Sequence, residues 1–281
     1  MKKAVLSIDF EDWYHLEYFK DNLNDKSQSI LVEGTNEFIK IITKEDIKAT
    51  FFIVGELISS KLELLKNIIK QGHEVSGHSY NHVRPLTQSI EDFKSDSIKL
   101  FVELKETLNI VNPGYRAPCF SLDDERLNIL KELNYSYDSS KISAGFHPLY
   151  GSINIKQYKK VADNVYTDEK FTEFELPTQR FLNKNIPISG GGYLRILPWF
   201  LFKYLLKKYL KENMTYFFFI HPFELTNKNI SLPKDSSITS RLRFRVGRSK
   251  GASRFKKLIK ILKKEGFEFV TFSDFDKEIN S

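Results

Sequence analysis

Apolar residues recur along the chain in two alternating rhythms. Short runs dense in β-branched and aromatic residues, "KAVLSIDF" near the N-terminus and "KATFFIVG" at 48–55, have the length and make-up of strands. Between and after them come stretches with apolar residues every three or four positions. "ILVEGTNEFIKIITKEDI" is one; "ELISSKLELLKNIIKQG" is another and ends at Gly72, a helix C-cap residue. "HEVSGHS" then predicts a strand. "SIEDFKSDSIKLFVELKETLN" predicts a long helix, with Ser89 as N-cap and Asp92 three residues on. The helix "DDERLNILKELN" and the strand "YSYDSS" follow. From about residue 141 the pattern loosens into a long connection holding strand-like "TEFELPTQ" and the turn "SGGGY". The helix "LPWFLFKYLLKKYLK", the strand in "MTYFFFIHPFE", the helix "SRFKKLIKILKKEG" and the run "FEFVTFSDF" complete the chain.

Strands alternating with helices imply a parallel α/β sheet. The uninterrupted apolar run "TYFFFI" fits a strand buried on both faces. About seven β–α units without a dinucleotide-type glycine motif predict a TIM-like barrel rather than an open sheet. No repeat, low-complexity tract or linker divides residues 1–281, so a single domain is expected, with about 225–281 as a basic C-terminal extension of the barrel.

Composition adds three points. The 281 residues include 24 Phe, enough for a large core. The one cysteine, Cys119, allows no intrachain disulfide. The opening "MKKAVLSIDF" mimics the start of a leader, but charge arrives at Asp9 before a full apolar segment forms, and no run approaches a spanning helix. A soluble, cytoplasmic protein is the expectation. Charge is uneven: residues 200–281 carry 18 Lys/Arg against 8 Asp/Glu, a balance of +10, so the rest sums to −3 within a total of +7. Such a stretch suits anionic lipid, a nucleotide-linked sugar or nucleic acid; it equally suits a solvated helix face. "RLRFRVGRSK" has no nucleic-acid recognition motif around it, so no nucleic-acid partner is expected, whereas peripheral association with an anionic membrane stays open.

Candidate chemistry gathers at strand ends, where parallel α/β folds place it. Asp9, Glu11 and Asp12 follow the first strand, and His78 and His82 the third. Arg116 closes the fourth, Asp138, Ser139 and Ser140 the fifth, and His221 closes "TYFFFI". Gly77, Asn81 and Pro85 argue for a loop rather than a helix around the two histidines. Together with a carboxylate from another strand end, they make a two-nitrogen, one-oxygen cation site. Asp138 either orients His221 or belongs to a strand-end turn. His73 points away from His78 by alternation, His15 and His147 read as loop residues, and Cys119 as a small buried thiol.

Six stretches in order, "LSIDFEDWYH", "ATFFIVG", "GHEVSGHSYNH", "GYRAPCFS", "YDSS" and "IHPFE", resemble the motifs of NodB-type polysaccharide deacetylases, carbohydrate esterase family 4. The Asp-x-Glu-Asp-Trp opening and "SGGGYLRILP" resemble its exopolysaccharide-locus branch in particular. The resemblance spans residues 4 to about 224. It implies a distorted (β/α)7 barrel, one divalent ion (usually Zn2+), and hydrolysis of acetyl from N-acetylated sugars. It implies Asp9 as catalytic base, His78 and His82 as metal ligands, Arg116 as the residue orienting the base, and His221 as general acid. A backbone N–H near Tyr115 is implied as oxyanion donor. The usual family pattern has adjacent aspartates, whereas here Phe10 intervenes. Strand alternation puts Glu11 beside Asp9 as the third ligand; a strand ending by Phe10 would turn Asp12 in instead. Trp13, Tyr80 and Tyr193 are candidate sugar platforms. The substrate would be a nucleotide-linked, lipid-linked or oligomeric N-acetylated sugar. Two other readings stand beside this one: a C–N hydrolase of the same superfamily on a ureide or cyclic imide, and a catalytically inactive carbohydrate-binding relative.

Overall fold

The computed structural model describes residues 1–19, 28–145, 147–169 and 171–281. The first part of the chain runs β1 (Lys2–Phe10), α1 (Leu31–Lys44), β2 (Thr50–Ile53), α2 (Leu62–Lys70), β3 (Glu74–Gly77), α3 (Ile90–Leu108), α4 (Asp124–Glu132) and β4 (Tyr137–Asp138). Then follow the short strands β5 (Lys159–Ala162), β6 (Val165–Asp168), β7 (Phe171–Phe174), β8 (Thr178–Phe181) and β9 (Lys184–Pro187). The last part is α5 (Gly191–Ile196), α6 (Trp199–Glu212), β10 (Thr215–Ile220), α7 (Ile238–Arg245), α8 (Arg248–Lys264), β11 (Phe267–Phe269) and α9 (Phe272–Asn280).

β1 is the axis of the fold. On one edge it pairs in parallel with β10, in register from Lys3 with Thr215 to Ile8 with Ile220. On the other edge it pairs with β11 near its start and with β2 near its end. β2 pairs with β3, and single bridges carry the wall onward from Gly77 to Tyr115 and from Tyr115 to Asp138. β4 then pairs with β7, and a bridge from Gly190 to Phe219 approaches β10 from the far side. The result is a distorted (β/α)7 barrel, thinned where strands shrink to bridges and carrying antiparallel hairpins at β5–β7 and β8–β9.

Side-chain alternation sorts the apolar residues into two cores. Ala4, Leu6, Ile8 and Phe10 of β1, Phe51 and Ile53 of β2, and Tyr216, Phe218 and Ile220 of β10 pack under the helices. Val5, Phe52, Phe217 and Phe219 face inward and meet Tyr137, Phe174, Phe272 and Phe275. Phe174 stands 4.9 Å from Phe272 and 5.5 Å from Phe217, ring to ring. Aromatic rings therefore fill one end of the barrel, while Ser7 and Asp9, next along the same inner face of β1, lead to the other.

Several elements differ from the sequence expectation. "SGGGY" starts helix α5 instead of forming a turn. Its glycines serve close approach: a Cβ on Gly191 would lie 2.1 Å from Glu224 Oε2. "FEFVTFSDF" holds only a three-residue strand and then α9, capped by Thr271 accepting from Asp274 N at 3.1 Å. The long connection after residue 141 contains the two hairpins, and α7 forms where no helix was foreseen. Removing one inner ring tests the plug. Phe174→Ala should lower the unfolding free energy by about 3–5 kcal/mol in a denaturant titration; a loss below about 1 kcal/mol would mean that the ring cluster does not support the barrel.

Candidate active site

The opening carboxylates take different directions. Asp9 lies on the inner face of β1. The Glu11 N–H donates to the Asp9 carbonyl at 2.9 Å, and this tight turn brings Glu11 in beside Asp9. Asp12 turns the other way. It caps the single helical turn Trp13–His15: its Oδ1 accepts from Trp13 N at 2.9 Å and Ile30 N at 3.2 Å, and its Oδ2 accepts from the Ser29 hydroxyl. The Asp12 N–H in turn donates to His15 Nδ1 at 2.9 Å. The structure thus joins Glu11, not Asp12, to the histidines, because Asp12 is consumed in capping.

His78 and His82 sit on a loop beyond β3 in which Ser79 and His82 adopt left-handed backbone, φ 59° and 55°. The loop is held by Gly55 N donating to Ser79 O at 3.0 Å, Glu56 N to Tyr80 O at 2.8 Å, and Tyr80 N to Asp96 Oδ2 at 2.8 Å. His78 Nδ1 lies 2.7 Å from the Arg116 carbonyl, which can only accept, so Nδ1 carries the proton and Nε2 is left as a lone pair. Burial lowers the His78 pKa to about 4, the neutral ligand form. Burial pushes the Glu11 carboxyl up, but His82, His221 and His78 outweigh it and hold the group at about 2. One donor atom from each of Glu11, His78 and His82 lies within 4.8 Å of the others, and all three residues are buried. Two imidazoles and one ionised carboxylate are a donor set that fits a divalent ion such as zinc.

Two further pairs flank this cluster. Arg116, wholly buried, donates from Nη1 to Asp9 Oδ1 at 2.7 Å and to Ser7 Oγ at 2.9 Å. Its other nitrogens reach Ser139 O at 3.2 Å and Ser139 Oγ at 3.0 Å. His221, whose side chain keeps 19% of its surface, places Nε2 at 3.2 Å from Glu11 and 3.8 Å from Asp9 Oδ2. Its Nδ1 faces Glu224 Oε2 at 3.1 Å, and Glu224 is held by Arg195 Nε at 2.8 Å. Burial disfavours a charged His221, yet Glu224, Glu11 and Asp9 overcome it and raise the pKa to about 9.

Asp9, Glu11, His78, His82, His221, Glu224 and Arg195 line a cleft of about 440 Å³. Tyr193 lines it, with Tyr150, Phe219 and His147, which stacks on Tyr150 at 3.9 Å. Trp13 does not: it is buried among Phe19, Phe223 and Phe244, and its Nε1–H donates to Gln28 O at 2.8 Å. Tyr80 is also outside the cleft lining, with the Lys99 ammonium 3.7 Å over its ring. The Tyr115 N–H is spent on Tyr137 O at 2.9 Å and cannot serve as an oxyanion donor. Asp138 does not orient His221: it accepts from Ser140 N and Oγ, both at 2.7 Å, and burial pushes it up to about 6. The orienting carboxylate is Glu224. Its signal lay three residues after His221 in "IHPFE", where the short turn Pro222–Glu224 folds the carboxylate back. Arg195, in "SGGGYLRILP", had no sequence signal tying it to Glu224.

The polysaccharide deacetylase family model matches residues 2–137. This part of the chain belongs to that family. Residues 139–276 match a second model, described as a domain of unknown function (DUF3473). The peptidoglycan deacetylase of Helicobacter pylori is 23% identical over 209 residues, 73% of this chain and 67% of that one. Three further relatives are matched over only 27% to 43% of their own lengths. Among solved structures, one assigned as a polysaccharide deacetylase from Mycobacterium smegmatis superposes with a TM-score of 0.63 at 17% identity, covering 99% of this chain and 90% of that one. A family 4 pseudoenzyme from Bacillus anthracis gives 0.55 at 16% identity, over 100% and 66%. At these identities the superpositions establish the fold. The deacetylase half holds Asp9, Glu11, His78, His82 and Arg116, whereas His221, Glu224, Arg195 and Tyr193 come from the second half. Both halves share one sheet, since β10 lies beside β1.

The division between Glu11 and Asp12 is measurable. Zinc titration against a chelator should show Glu11→Gln weakening binding by roughly tenfold or more, as loss of a first ligand would. Asp12→Ala should keep the ion but lower stability by about 1 kcal/mol through loss of the cap. The opposite pattern would reinstate Asp12.

Proposed function

We propose that this protein is a metal-dependent hydrolase that removes acetyl from an N-acetylated sugar during cell-surface polysaccharide biosynthesis. One observation carries the reading: a carboxylate paired with arginine and an imidazole paired with carboxylate face each other across 3.8 Å, beside a His/His/Glu cluster.

Glu11, His78 and His82 would hold the ion, which when bound supplies Lewis acidity to a carbonyl and acidifies water. Asp9 Oδ1 is fixed by Arg116, leaving Oδ2 toward the cleft to take a proton from the attacking water. The new C–O bond forms at the acetyl carbon and the C–N bond breaks. His221, held as imidazolium by Glu224, gives its proton to the departing nitrogen. Acetate and an amino sugar result. Glu224 and Arg116 act as positioning residues. Tyr193 and Tyr150 supply an aromatic wall against which a sugar face can pack, which favours a saccharide over a small ureide or imide. The named activities of relatives, on peptidoglycan in Helicobacter pylori and chitin in Cryptococcus neoformans, are in line with such substrates.

Acetate release from nucleotide-linked, lipid-linked and polymeric N-acetylhexosamines tests the proposal. Asp9→Asn should lower kcat by roughly 10²-fold or more with the ion retained. A rate near wild type would remove Asp9 from the reaction. Wild-type protein that binds these sugars yet releases no acetate would establish the inactive, carbohydrate-binding reading. Glu224→Gln should shift a pH profile rather than only scale it. Removing the carboxylate lowers the His221 pKa from about 9, so activity should begin to fall at lower pH than in wild type. An unmoved alkaline limb would deny Glu224 its role.

A further inference from the structure

Beside the cleft mouth, large apolar side chains stand in solvent among cations. Helix α7 buries one residue, Phe244, which stacks on Phe223 at 5.1 Å. Ile238 and Leu242, one turn apart, are 84% and 60% exposed. Arg243, Arg245 and Lys250 are exposed with them, and Arg243 lines the cleft itself. Not every cation of this stretch is available. Arg241 is tied to Pro233 O at 3.0 Å, and Arg248 to Phe223 O at 2.9 Å.

A second element repeats the pattern on the same rim. Arg195 donates to the Val246 carbonyl at the end of α7, so the α5–α6 junction abuts α7. Ile196 there is 49% exposed and lines the cleft with Leu197 and Arg243. In α6, Phe202, Leu205, Leu206 and Tyr209 take the buried face. Phe200 and Tyr204, again one turn apart, are 77% and 57% exposed, beside exposed Lys203 and Lys207.

We infer that α7 and the start of α6 form a docking surface for a membrane rich in anionic phospholipid, with the catalytic cleft opening beside it. The occupant follows from the mixture. A polyanion alone gives exposed Ile, Leu and Phe no contact, and a neutral apolar partner leaves five cations without counter-charge. An anionic bilayer surface satisfies both, taking the apolar side chains at the acyl boundary and the cations at the headgroups. The contact inferred is peripheral; no helix among the described residues is long and apolar enough to cross a membrane. A saccharide carried on a lipid would then meet the cleft at the plane in which it is anchored.

Co-sedimentation with lipid vesicles tests this, without substrate, so its failure leaves the hydrolase reading untouched. Wild type should bind vesicles of phosphatidylglycerol mixed with phosphatidylcholine and not phosphatidylcholine alone, and added salt should release it. Ile238→Ser with Leu242→Ser, and separately Phe200→Ser with Tyr204→Ser, should each lower the partition coefficient by roughly tenfold. Arg245→Gln with Lys250→Gln should lower it on the anionic vesicles only. Thermal melting checks that each variant is folded; should an apolar pair fail, the single exposed change Leu242→Ser carries the same expectation in lesser degree. Absence of anionic-vesicle binding, equal binding to neutral vesicles, or full binding by both apolar variants would overturn the inference. The last result would identify a purely polyanionic partner.

Discussion

Arg116 is the constraint on which the molecule turns. A guanidinium with no exposed surface costs several kcal/mol in desolvation unless its donors are met, and removing a partner from such a pair costs about 3–5 kcal/mol. Here its donors reach Asp9, Ser7 and Ser139, while its carbon lies 4.0 Å from the centre of the Phe52 ring. It therefore spans from the aromatic plug of the barrel to the mouth. Its backbone takes part as well: the Arg116 carbonyl sets the tautomer of His78, and its N–H is bonded to Gly77 O at 2.9 Å. One residue fixes Asp9, one imidazole and the thinnest part of the barrel wall.

This arrangement explains why the strand between β3 and β4 can shrink to single bridges at Tyr115 without opening the fold. Charge-assisted bonds inside the barrel replace ladder bonds in the wall. The weak part of the sheet is thus where side-chain bonding is densest. Tyr115 itself turns outward to pack with Phe93 and Tyr135, an apolar role that leaves the polar work to its neighbour.

Much of this was legible in the sequence wherever periodicity governed the outcome. Asp9 and Glu11 share a side, as alternation predicted, although β1 ends at Phe10 and a tight turn brings Glu11 in; glycine, asparagine and proline around His78 and His82 marked a loop. The misses have separate causes. Asp12 and Trp13 looked close to the chemistry because they are close in sequence, but Asp12 begins a new capped turn, and direction after a strand end is not set by period two. Asp12 with His15 three residues on was itself a capping signature. The hairpins β5–β6 and β8–β9 are short and largely solvated, so they carry little of the pattern that burial writes into a strand. In α9, Phe272 and Phe275 sit at helical spacing, but the preceding "FEFVTF" has the stronger strand pattern. The bond between Arg195 and Glu224 joins residues far apart in the chain and could not be seen from either.

The boundary between the two family matches falls at Asp138, which neither match covers, yet the proposed chemistry crosses it. The first half supplies a carboxylate whose partner is a guanidinium; the second supplies an imidazole whose partner is a carboxylate. Glu224, with Glu11 and Asp9, favours the charged imidazolium of His221. Arg116 holds Asp9 Oδ1 and leaves Oδ2 facing His221 Nε2 across a separation of 3.8 Å. Since Arg116 is rooted in the barrel core and Glu224 in contact with Arg195 of α5, that separation depends on α5 lying against the turn after β10. The closeness that Gly191 permits is what makes that contact sterically possible.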